Sequence, residues 1–220
     1  MERHFHTELR QLKDQILAMG GYVERAIEEA TQALIRREPE RFAKVMEAET
    51  KINQAHIDID EHCFSLLARQ APLAADLRLI LALLKINTDL ERMGDQAVNI
   101  SHNAKKYLEE PPVQFLLEIT KMAFEVRSMV RDSLDALVKE DGQLAREVLK
   151  KDDSVDNLKN QMFRDLIALM KKDPSTIEAA IDLLLIARNL ERLGDHATNI
   201  AEDVIFVTTG KDVRHKPRES

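Results

Sequence analysis

Two twelve-residue stretches hold the side chains with chemical potential: DLERMGDQAVNI from Asp89, and NLERLGDHATNI from Asn189, 100 positions later. They agree at eight positions, namely Leu, Glu, Arg, Gly, Asp, Ala, Asn and Ile. Each carries two carboxylates four residues apart, Glu91 with Asp95 and Glu191 with Asp195. On a helix such a pair shares one face, with Cβ atoms about 6 Å apart. Like charges at that distance repel unless a cation, an arginine or water stands between them. Arg92 and Arg192 are the arginines at hand. The spacing leaves two readings open, a solvated face and a metal- or anion-handling surface. Gly94 and Gly194 lie inside the motifs, where glycine costs a helix about 1 kcal/mol relative to alanine. A glycine at both copies suggests that something approaches the backbone closely.

The elements that must position these carboxylates are long helices. Leu79, Leu83, Ile86, Leu90, Met93, Ala97, Ile100 and Ala104 follow alternating steps of four and three, the apolar spacing of a helix packed along a seam. Ala179, Leu183, Ile186, Leu190, Leu193, Ala197, Ile200 and Val204 repeat it. A second stripe, through Leu77, Ile80 and Leu84, points elsewhere and leads down the helix to Glu91, Asp95 and His102. In the second copy Ile177 and Leu184 lead in the same way to Glu191, Asp195 and Glu202.

A recurrence at this period marks an internal duplication, and the remaining chain supports it. Leu9, Leu12, Ile16, Met19, Val23, Ile27 and Ala30 predict a first helix, with Gly20 and Gly21 as a place to bend or pack closely. Pro39 is placed as the first residue of a second helix running to about Arg69, with Phe42, Val45, Ile52, Ile59, Cys63 and Leu66 inward. Its other face carries Glu49, Asn53, His56 and Asp60. Pro72 breaks it before the first motif helix. In the second half Phe115, Ile119, Met122, Val126, Met129 and Leu137 predict a fourth helix, and Asp141–Gly142 a turn. Leu144, Val148, Val155, Leu158, Met162, Leu166 and Leu169 predict a fifth, on which Asp152 and Asp156 sit comparably to Glu49 and Asn53. Asp173-Pro174-Ser175 starts the sixth. The expected fold is all-α: two tandem antiparallel three-helix bundles. They span 1–108 and 113–208, joined by the Pro-rich linker 109–112 and followed by a basic polar tail, 209–220.

Composition narrows the function. Aromatics are 4%, Trp is absent, and 44% of residues are hydrophobic, which starves a sheet and fills a helical core. A formal net charge of −7 argues against nucleic acid as main partner. The N-terminus lacks the apolar core of a signal peptide, and the longest apolar run, LILALLKI, is too short to span a bilayer. The single cysteine, Cys63, fits a reducing cytoplasm. No Gly-rich phosphate loop and no Gly-x-Ser-x-Gly is present. Di-iron oxidase bundles want Glu-x-x-His on paired helices, and this sequence contains no Glu-x-x-His. The expectation is a protein without enzymatic activity.

The doubled ERxGD, with IDEHC on the second helix, LAADLR opening the third and MGGYVE around Gly20, resembles the PhoU family over nearly the whole chain, from about Phe5 to Arg214. The resemblance implies a cytoplasmic regulator of phosphate uptake and phosphate-starvation signalling, a negative regulator of the Pho regulon. It implies a homodimer that stands between the phosphate ABC transporter and the phosphate-sensing histidine kinase, reaching the membrane only through those partners. It also implies metal ligation, by iron or zinc in some members, at Glu91, Asp95, Glu191 and Asp195, with Glu49 and Asp152 facing them from the second and fifth helices. An oxygen-rich set suits magnesium, calcium or manganese on softness grounds, while His56 or His102 would tilt it towards zinc or iron. Two carboxylates are too few for a tight site, so Glu49 or Asp60, and Asp152 or Asp156, must contribute. The expected outcome is one weak or multinuclear divalent site per half, at the surface, completed by water. The alternatives are a carboxylate-bridged metalloprotein or enzyme, and a structural dimeric spacer whose acidic stripes are only solvated.

Overall fold

In the computed structural model the chain is described over residues 2–70, 72 and 74–213. The seams close as the periodicity demands. All sixteen seam residues of the two motif helices are buried, from Leu79 to Ala104 and from Ala179 to Val204. The described residues form six α-helices: α1 (Glu2–Arg36), α2 (Arg41–Gln70), α3 (Ala74–Tyr107), α4 (Leu116–Lys139), α5 (Gly142–Lys172) and α6 (Ile177–Thr209). Among the described residues there is no strand.

Helices α1, α2 and α3 pack on one another, and so do α4, α5 and α6, which gives the two tandem three-helix bundles. The bundles join through α3 against α6 and α1 against α4. Both contacts run antiparallel, as the ion pairs show. Lys85 of α3 meets Asp203 of α6 at 3.1 Å, whereas Asp89, one turn on, meets His196 at 2.8 Å. Arg127 and Arg131 of α4 reach Glu28 and Glu24 of α1 at 3.0 and 2.7 Å. The core is therefore continuous across the two bundles, with Leu12, Ile16, Met19, Ile86, Met129, Leu183 and Ile186 fully buried.

The helix ends follow local chemistry. The Asp141 carboxylate accepts from the backbone N–H groups of Gln143 and Leu144, capping α5, so Gly142 is the first helical residue. A cap of this kind stabilises a helix by about 1 kcal/mol. Asp173 does the same for Ser175 at a 3-10 turn, Pro174–Thr176, before α6. Gly210, at φ 70, ends α6 in the left-handed conformation that a Cβ disfavours. Tyr107, fully buried, both donates to the Val113 carbonyl and accepts its N–H, tying down the segment between α3 and α4.

Three local expectations shift. Pro39 lies in a turn, with α2 beginning at Arg41, because the Arg41 and Phe42 N–H groups donate to Glu38 and Pro39 carbonyls. Gly20 does not break α1, which runs unbroken; a Cβ there would run into Leu134 of α4, so its role is close packing. Leu77, on the second apolar stripe, is 37% exposed, whereas Ile80 on the same stripe is fully buried. From residue 214 the basic tail lies outside the described residues.

Candidate functional site

In the first half, α2 and α3 run antiparallel and bring Glu49 to the level of Gly94. A Cβ on Gly94 would stand 2.6 Å from Glu49 Oε2 and 3.1 Å from Ile52 Cδ1. The glycine inside the motif is thus what admits the Glu49 carboxylate beside α3. Asn53, one turn along α2, donates to Glu49 Oε1 at 3.1 Å, whereas Oε2 is buried without a partner. Burial pushes the Glu49 carboxyl above the usual carboxylate range; the Asn53 hydrogen bond opposes this, and the Asp95 and Glu91 charges add to it. Glu91 and Asp95 are met from outside by Arg92, at 3.5 and 3.3 Å.

Further along the same groove stand His56, Asp60 and Asn87. Asn87 is fully buried and donates through Nδ2 to the His56 carbonyl and to Asp60 Oδ1, both at 2.9 Å. Its Oδ1 and His56 Nδ1 are buried without partners. His56 Nε2 lies 3.7 Å from Asp60 Oδ2.

The second half repeats the frame with different occupants. Core residues of α2 and α5 match at an offset of 103: Val45 with Val148, Ile52 with Val155, Ile59 with Met162. At that offset Glu49 corresponds to Asp152, Asn53 to Asp156 and His56 to Lys159. Lys159 Nζ donates to Asp156 Oδ1 at 3.0 Å and to Glu191 Oε1 at 2.9 Å. Burial works to lower the Lys159 pKa, but the hydrogen bonds to Glu191 and Asp156 outweigh it and raise the value. Asp195 is pushed up to about 6, first by burial around its carboxylate and then by the charges of Glu191, Asp152 and Asp156. The residue as a whole is exposed, so solvent screens the charges that act on it. Gly194 leaves room, the nearest neighbour of a Cβ being Asp152 Oδ1 at 3.6 Å.

The six carboxylates singled out by sequence therefore gather in two sets of three, Glu49 with Glu91 and Asp95, and Asp152 with Glu191 and Asp195. The α2 and α5 members lie deeper than a surface ligand, with Asp152 only 9% exposed. Among the described residues no three His, Cys, Asp or Glu side chains converge closely enough to grip a metal ion as they stand. His102 lies on the exposed side of α3. Two functional features escaped the sequence reading. One is Lys159, whose reach across to Glu191 depends on how α5 packs against α6. The other is the seam between bundles, where Asp89 accepts from Asn199 at 3.1 Å and pairs with His196. A cavity of about 350 Å³ lies there, lined by Lys85, Thr88, Asp89, Asn199, Glu202 and Asp203.

Comparison with known proteins agrees with this duplicated frame. A family model described as "PhoU domain" matches twice, over residues 16–104 and 119–204. A Pseudomonas putida protein named phosphate-specific transport system accessory protein PhoU homolog is 39% identical over 216 residues, covering 98% of this chain and 84% of that one. An Aquifex aeolicus protein of the same name is 39% identical over 209 residues, 95% of each chain. Among solved structures, PhoU from Pseudomonas aeruginosa superposes with a TM-score of 0.90 at 38% identity, over 94% of this chain and 100% of that one. The phosphate transport system regulatory protein PhoU from Streptococcus pneumoniae gives 0.89 at 29% identity, over 95% and 99%.

Proposed function

The chain belongs to the PhoU family, and on that premise we propose that it regulates phosphate uptake and the phosphate-starvation response as a cytoplasmic adaptor. Its partners are the phosphate ABC transporter, on the ATPase side, and the phosphate-sensing histidine kinase. The observation that carries this reading is the full-length match, through both repeats, to proteins named as accessory or regulatory components of phosphate transport. Among the described residues no helix is long and apolar enough to cross a membrane; the proposed contact with the transporter uses protein surfaces. The exposed side chains Phe64 and Leu81 in one half, and Phe163, Ile167 and Ile181 in the other, supply apolar area for such contacts.

The adaptor works as a homodimer and makes and breaks no covalent bond. The acidic surface beside the motifs takes a divalent cation: iron, zinc, magnesium or manganese. In the first half the residues fit such a guest. The buried Glu49 Oε2 lacks a partner, its carboxyl is raised by burial and like charge, and Gly94 keeps space beside it. Glu49, Glu91 and Asp95 would hold the ion once the latter two turn inward from Arg92. The cation would neutralise the repulsion between α2 and α3 and fix the face that partners read.

Deleting the gene is expected to derepress phosphate-uptake genes in phosphate-rich medium, and supplying the chain in trans to silence them again. A deletion that leaves those genes silent, together with a purified protein that ignores both transporter and kinase, would overturn the adaptor reading.

A further inference from the structure

The two acidic faces descend from one duplicated segment, yet they differ at the one position that decides what a cation would meet. We infer that the second face carries its own resident cation, the Lys159 ammonium, so that only the first face is open to a divalent metal ion. This rests on the cation reading proposed above and deepens it by making the two halves inequivalent.

The Lys159 side chain is only 20% exposed and lies between α5 and α6, donating to Asp156 of its own helix and to Glu191 of the motif. Glu191 is itself 20% exposed and is the carboxylate whose first-half counterpart, Glu91, is a ligand candidate. An incoming metal ion would have to share Glu191 with an ammonium 2.9 Å away. Two cations held on one carboxylate stand only a few ångströms from each other and repel strongly where water is scarce. The lysine must therefore leave before the ion can bind, and leaving exposes Asp156 and Glu191 to each other and to Asp152 and Asp195.

In the first half the corresponding residue is His56. Its imidazole turns to Asp60, at 3.7 Å, and leaves Glu91 alone. Its Nδ1 is buried without a partner, as is Glu49 Oε2. Where the second half has an ammonium, which cannot ligate, the first half has a ring nitrogen, which can. Among the described residues the cation paired with Glu91 and Asp95 is Arg92, which approaches from solvent and is 57% exposed, so it can swing away without uncovering a buried charge. Asn53 stands where the second face has Asp156, and Asp60 where it has Phe163, so the α2 carboxylate lies about two turns further along. Lys159 offsets the Asp156 carboxylate in the second face.

The test is Mn²⁺ binding to the full-length, metal-stripped protein, followed by calorimetry and by the signal of free Mn²⁺. The wild type is expected to bind about one Mn²⁺ per chain, and Glu49→Gln to weaken that event at least tenfold. Lys159→Gln is expected to add a second event, removed again by Asp195→Ala, whereas Lys159→Arg keeps the wild-type stoichiometry. The reciprocal His56→Lys, which imports the ammonium into the first face, is expected to abolish the wild-type event; it decides the matter should Lys159→Gln fail to fold. Two equal events in the wild type, unchanged by Lys159→Gln, would overturn the inequivalence and leave the cation reading standing. A Lys159→Gln protein that still binds one ion would also overturn it. No binding by any variant, tested with Mn²⁺ and Zn²⁺, would overturn both.

Discussion

Glu49 and Asp152 stand at matching places on matching helices, each beside a motif glycine and opposite a Glu/Asp pair, yet their surroundings have diverged. Glu49 crowds Gly94, keeps one oxygen without a partner and shares its groove with a histidine. Asp152 stands clear of Gly194, in a cluster that has gained a fourth carboxylate, Asp156, and a lysine that binds two of the four. The difference teaches that duplication keeps the backbone frame and the apolar seam while the polar filling drifts. One half is left with a buried carboxylate oxygen that has no partner. The other satisfies itself.

The glycines give the largest expected contrast. Alanine at 94 must push aside Glu49 Oε2 and also Ile52, which is fully buried and has little room to move. Overpacking of this kind costs about 1–3 kcal/mol, more than the roughly 1 kcal/mol that alanine gains in helix propensity. Alanine at 194 meets only ordinary contacts at 3.6 Å and beyond, so the propensity gain survives. Gly94→Ala should lower the urea midpoint and Gly194→Ala should raise it. Equal shifts of one sign would show that the close approach of Glu49 does not distinguish the halves.

Titration gives a smaller contrast. Asp195, with a folded pKa of about 6 against an ordinary 3.8, holds its proton more tightly when folded. Its contribution is most favourable below the unfolded value and is lost as pH rises through about 6, after which it stays lost. Asp195→Asn should therefore stabilise the metal-free protein at pH 8 and do nothing near pH 4. Because the residue is exposed, solvent screening holds the gain to about 1 kcal/mol or less. In the first half the raised group is on α2, so Glu49→Gln is expected to show the same direction there. Urea melts of both variants across that range check it; a gain that persists at pH 4 would mean the carboxyl proton is not its source.

Much of this architecture was legible in the sequence. The seams of α3 and α6 are long and strictly periodic, so every residue placed on them is buried, and the duplication announced two bundles. The pairing of Glu91 with Asp95, and of Glu191 with Asp195, follows from helical geometry alone. What the sequence hid depends on register between separate helices. The offset of 103 between α2 and α5 was already implied by setting Asp152 and Asp156 against Glu49 and Asn53, but that Lys159, at the place of His56, reaches across to Glu191 shows only in the packed helices. The Asp89–His196 pair depends on the antiparallel crossing of α3 and α6, which no local pattern encodes. His196 follows Asp195 in sequence and points to the other bundle for that reason.

The most direct test of inequivalent faces uses the two glycines as reporters. Amide NMR of the ¹⁵N-labelled wild type, titrated with substoichiometric Mn²⁺, reads paramagnetic broadening at Gly94 and Gly194 in one experiment. Gly94 and its neighbours on α2 should broaden at the first additions, with Gly194 and the residues around Lys159 still sharp. Simultaneous broadening at both glycines, or at Gly194 first, would contradict the assignment of the cation to the first face.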